Sequence, residues 1–120
     1  MTSLLAFLAA MFVHELGHAS MSLVLGVKVH RIGLCRYGMY TQMDLAGKVE
    51  FYLVTLAGPV TTLSFFLLGC VEGWNCFALA NVCIMIACFL PNGDFWRLFQ
   101  YGFWHSRAKV DRYLMMVCKP

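Results

Sequence analysis

Apolar residues fill three long stretches of this 120-residue chain. The first runs from Ser3 to Gly26 and is broken only by His14, Glu15 and His18; Phe51 to Val71 and Gly73 to Leu90 carry no charge at all. At ~1.5 Å per residue, even the shortest run reaches ~27 Å, close to a hydrocarbon core of about 30 Å, so each predicts a transmembrane helix, over 3–26, 51–71 and 73–90. Between the first two lies "VKVHRIGLCRYGMYTQMD", where Val27, Val29, Ile32 and Leu34 are interrupted by Lys28, His30 and Gly33. That pattern predicts a short β-hairpin at the cytoplasmic interface. After Leu90, Pro91 and Gly93 break the third helix, and "FWRLFQYGFW" continues apolar and aromatic. The predicted fold is an all-α membrane protein, one domain over 1–120, with three transmembrane helices, the hairpin, a broken third helix and an interfacial tail over 95–120.

Composition agrees with a membrane chain: 61% of residues are hydrophobic and 12% charged, against roughly a quarter charged in soluble domains. The first run lacks a basic leader and is too long for the apolar part of a secretory signal, so it is read as a span. Lys28, Arg31, Arg36 and Lys48 fall between the first two helices; Arg97, Arg107, Lys109, Arg112 and Lys119 follow the third. In a three-helix topology these lie on one side, which the positive-inside rule assigns to the cytoplasm. The expectation is a multi-pass protein of the cell membrane with a cytoplasmic C-terminus. The net charge of +3 is then a topology signal, and nothing in it suggests nucleic acid. The six cysteines, Cys35, Cys70, Cys76, Cys83, Cys88 and Cys118, show no C-x-x-C pair and read mostly as apolar filler. Cys70 and Cys76 flank the outer turn, where an oxidising compartment would permit a disulfide.

The interruption of the first run carries the chemistry. On a helix, positions i and i+4 share a face, so His14 and His18 can present both imidazoles to one ion, with Glu15 beside the same pocket. This is the H-E-x-x-H zinc arrangement. Two imidazoles and a third ligand leave one tetrahedral position for water, whose pKa the metal lowers from ~16 towards ~7, and Glu15 would take its proton. A carboxylate and two histidines at membrane depth mark a functional site, because their burial is otherwise unfavourable by several kcal/mol. Asp44, Glu50, Glu72 and Asp111 compete with Asp94 for the third-ligand role; Asp94, closing "LPNGD", is the best placed, since broken helices at membrane depth line binding sites. In "LAGPV", Gly58 permits close backbone approach and Pro59 frees the Thr55 carbonyl, predicting tight packing of the second helix on the first. His30 and His105 lack a partner at ligand spacing and read as interfacial residues.

The HELGH helix, the "LAGP" of Leu56 to Pro59 and an Asp after a Pro-containing break together resemble the site-2 protease family of intramembrane zinc metalloproteases, over residues 1 to about 97. The resemblance implies that His14, His18 and Asp94 hold one Zn²⁺, that Glu15 is the catalytic base, and that the reaction hydrolyses a peptide bond of a membrane-embedded or membrane-tethered protein or peptide. It also implies a substrate-holding strand like the predicted hairpin. The last motif departs from the family's: Gly93 precedes Asp94, Phe95 follows it, and Ile86 stands where an Asn is usual. Asn81 and Asn92 are the nearest substitutes, and Asn92 is the candidate for hydrogen bonding substrate or oxyanion. Two other readings predict different behaviour. A non-catalytic membrane zinc-binding or chaperone-like protein of this fold has no need of Glu15, and a purely structural subunit binds no metal.

Overall fold

The computed structural model describes residues 2–35, 38–43, 48–91, 93–96, 98–99 and 114–115. Helix α1 (Ser3–Val24) starts after Thr2, whose hydroxyl accepts from the Leu5 N–H, as an N-cap threonine does. It stops before Gly26, which adopts φ 72°, a conformation that side chains resist. Strands β1 (Val29–Cys35) and β2 (Gly38–Met43) form the expected antiparallel hairpin, with a bulge between Val29 and Arg31. The sheet order is β1-β2-β3, where β3 is Leu114–Met115. Helix α2 (Lys48–Val71) runs through Pro59, and α3 (Asn75–Phe89) follows the turn at Gly73.

The stretches Ser3–Val24, Val49–Val71 and Asn75–Trp96 are long and apolar enough to cross a membrane. The last includes the predicted break. Leu90 is extended (ψ 160°), the Gly93 N–H bonds the Leu90 carbonyl at 2.8 Å, and helical backbone resumes at Asp94. Gly93 is required there, because a Cβ would lie 2.5 Å from the carbonyl oxygens of both Ala87 and Cys88.

Bundle packing follows from one stripe. Ala6, Ala10, His14, His18 and Ser22, each four apart, are buried along α1, while Leu4, Leu8, Leu16 and Leu23 stay exposed. Small residues therefore face the neighbours and bulky ones face outward, the arrangement by which helices associate in lipid. Ala6 and Ala10 pack with Phe77, Ala80 and Ile84 of α3 at one end. At the other, Val27 and Met43 pack with Phe51 and Val54 of α2. The two histidines lie between these clusters. Cys70 and Cys76 are free and exposed, so no disulfide joins them across the turn between α2 and α3. Most of the predicted interfacial tail, with Asp44, Asp111 and His105, lies outside the described residues.

Candidate metal centre

The centre is built where α1 crosses α2. A Cβ at Gly17 would sit 2.5 Å from Thr61 Oγ1 and 2.8 Å from the Ala57 carbonyl oxygen. A Cβ at Gly58 would overlap the His18 ring and lie 2.9 Å from His14 Cε1. The expected tight packing of α2 on α1 is thus observed, and its purpose is local: Gly58 leaves the space that the two imidazoles fill.

Both rings are oriented by α2. His14 Nδ1 is 2.8 Å from Thr62 Oγ1, and Thr62 donates its own proton to the Gly58 carbonyl at 3.1 Å. The hydroxyl proton being committed, Thr62 accepts from His14 Nδ1–H. His18 Nδ1 is 2.7 Å from the Val54 carbonyl oxygen, which can only accept, so that nitrogen carries the proton as well. The Val54 carbonyl lies on the helical turn that Pro59 weakens by removing the partner of Thr55. The Nδ1 proton is thus assigned in both rings, and when the rings are neutral both Nε2 lone pairs point into the centre.

Those lone pairs meet Asp94. The His14 Nε2 to Asp94 Oδ2 distance is 2.9 Å, His18 Nε2 to Asp94 Oδ2 is 3.2 Å, and the two Nε2 atoms are 3.2 Å apart. Three such atoms this close in a buried site are reconciled either by a proton, with an imidazolium donating to the Asp94 carboxylate, or by a metal ion between them. Nitrogen and oxygen ligands at ~2.0–2.1 Å around a tetrahedral ion lie about 3.3–3.4 Å apart, so the observed triangle is only slightly contracted from a zinc site. The donor set fits Zn²⁺, and the structure brings together His14, His18 and Asp94, the three residues expected as ligands. His14, Glu15 and His18 also form a compact group of possible ligands.

Glu15 is buried beside the two histidines, and the Thr41 hydroxyl donates to its Oε2 at 2.6 Å. Thr41 reaches it because β2 alternates, sending Thr41 and Met43 together against α1. Met43 Sδ accepts from Ser22 Oγ at 3.0 Å, one turn beyond His18. Sequence reasoning missed Thr41 and the orienting role of Thr62. It also placed Cys88 among apolar filler, whereas Cys88 is buried with Sγ 3.8 Å from Asp94 Oδ2. Asn92 lies outside the described residues. Asn81 is fully buried in α3; its amide donates to the Phe77 carbonyl, and its Oδ1 has no hydrogen-bond partner among the described residues.

No protein-family model, curated protein or solved structure matches the chain.

Proposed function

We propose that the protein is an intramembrane zinc endopeptidase that hydrolyses a peptide bond of a membrane-associated substrate. The observation that supports this most directly is the convergence of His14 Nε2, His18 Nε2 and Asp94 Oδ2 within 3.2 Å of one another, with the Glu15 carboxylate one residue from the first ligand. Bound Zn²⁺ would supply Lewis acidity and lower the pKa of a coordinated water. Glu15, its Oε2 held by Thr41, would accept a proton from the attacking water and return it to the amine nitrogen as the C–N bond breaks. Thr62 and the Val54 carbonyl hold the two imidazoles in the ligating tautomer throughout. In the sheet, β1 is a terminal strand, the position at which an extended substrate would add as a further strand. The three apolar stretches would span the bilayer, with the Lys- and Arg-bearing segments on the cytoplasmic side.

Glu15 separates this reading from a protein that only binds metal, since ligation by His14, His18 and Asp94 needs no second carboxylate locked by a threonine. The test is zinc content by elemental analysis for wild type, Asp94→Ala and Glu15→Gln, followed by mass spectrometry of single-span peptides incubated with each protein in liposomes. We expect about one zinc per wild-type chain, loss of zinc in Asp94→Ala, and zinc retained without cleavage in Glu15→Gln. A wild type that stays metal-free after zinc supplementation, or a Glu15→Gln variant that cleaves as well as wild type, overturns the proposal.

A further inference from the structure

The described cysteines do not share one environment. Cys70, Cys76 and Cys83 are exposed, whereas Cys88 is buried. A cysteine that merely fills an apolar interior touches carbon, but the Cys88 sulfur faces the Asp94 carboxylate at 3.8 Å. His14, Cys88 and Asp94 form a second group whose ligating atoms all lie within 4.8 Å of one another, sharing two members with the His14–His18–Asp94 triangle. The backbone fixes this juxtaposition. The turn at Gly93 passes so close to Cys88 that a Cβ would lie 2.7 Å from the Cys88 carbonyl carbon, and it returns the chain so that Asp94 stands beside the thiol.

We infer that Cys88 is a fourth ligand of the metal centre, closing the coordination position that hydrolysis requires open. The inference rests on the proposed zinc site and goes beyond it, because it adds a ligand that substrate or water must displace before hydrolysis. A tetrahedral ion with sulfur at ~2.3 Å and oxygen or nitrogen at ~2.0–2.1 Å separates those atoms by about 3.5–3.6 Å, close to the 3.8 Å between Cys88 Sγ and Asp94 Oδ2. The sulfur binds as thiolate, and its proton is released to solvent on metal loading. Four protein ligands are the mark of closed, structural zinc sites, and three plus water that of catalytic ones. Displacement of Cys88 would therefore convert the first kind into the second.

The test uses full-length protein in detergent, stripped of metal and loaded with Co²⁺, whose visible bands report tetrahedral loading and whose near-ultraviolet sulfur-to-cobalt band reports a thiolate ligand. Wild type should show both. Cys88→Ser and Cys88→Ala should keep one cobalt per chain and lose the sulfur band, with metal affinity lowered about tenfold or more, the scale seen when groups supporting a metal site are removed. A sulfur band that persists in both variants, or is missing from loaded wild type, overturns the inference and leaves the three-ligand site standing. X-ray absorption at the zinc edge of wild type needs no variant: a sulfur neighbour near ~2.3 Å supports the inference, and a shell of nitrogen and oxygen alone overturns it. Wild type that takes up neither metal overturns both this inference and the proposed function.

Discussion

At the scale of single residues, the supports of the centre are as informative as its ligands. Thr62→Val keeps the approximate shape and removes the acceptor of His14 Nδ1–H, so zinc affinity should fall about 10–100-fold, which competition with a chelator measures. Thr41→Val frees Glu15 Oε2 from its 2.6 Å bond and leaves all three ligands untouched. Peptide cleavage should drop while zinc content stays at the wild-type level, and equal loss of both would show that Thr41 holds the metal site rather than the base. Gly58→Ala forces a methyl into the His18 ring. Overpacking of this kind is unfavourable by ~1–3 kcal/mol, and the variant should purify with less zinc than wild type. His14, Glu15 and His18 were legible in the sequence because helical spacing alone places them together, and Asp94 because a Pro–Gly break precedes it. Thr41 and Thr62 were not, since they meet Glu15 and His14 across 26 and 48 residues of chain, and no local periodicity records such a contact. The alternation of buried Thr41 and Met43 in β2 was the one available signal for Thr41.

Among the elements, the broken third helix matters most. Helix α3 ends at Phe89, and the tight turn to Gly93 carries Asp94 back to α1. Gly93→Ala should therefore displace Asp94 and abolish zinc binding while leaving the helical content of α1 and α2 unchanged, by elemental analysis and circular dichroism together. Wild-type zinc content in that variant would mean that the turn has slack. The apolar runs located α1, α2 and α3, with differences confined to the ends. Helix α2 begins at Lys48, ahead of the apolar run, and α1 stops at Val24 because Gly26 turns the chain. The hairpin was legible from its Val, Ile and Leu alternation. What it contributes to the centre was not, because a strand pattern gives the period of its faces and not the element against which a face packs.

Over the whole molecule, α1 would supply two ligands and the base, α3 and its turn would supply Asp94 and, on the further inference, Cys88, and α2 supplies hydrogen bonds and space. Metal would thus join α1 to α3, so binding and bundle stability should be linked. Zinc at 100 times its dissociation constant should stabilise the bundle by about 2.7 kcal/mol. Thermal unfolding in detergent should move upward with zinc, return with chelator, and show no zinc response in Asp94→Ala. The stripe of Ala6, Ala10, His14, His18 and Ser22 has a wider consequence. In lipid there is little hydrophobic drive to bring helices together, so close packing and polar links must do so. Around this crossing, the polar links are the groups that orient the imidazoles. The residues that would perform hydrolysis therefore also decide which helices are neighbours. A lineage that abandoned the chemistry could not let these positions drift freely; it would have to find a new adhesive for its helices at the same time.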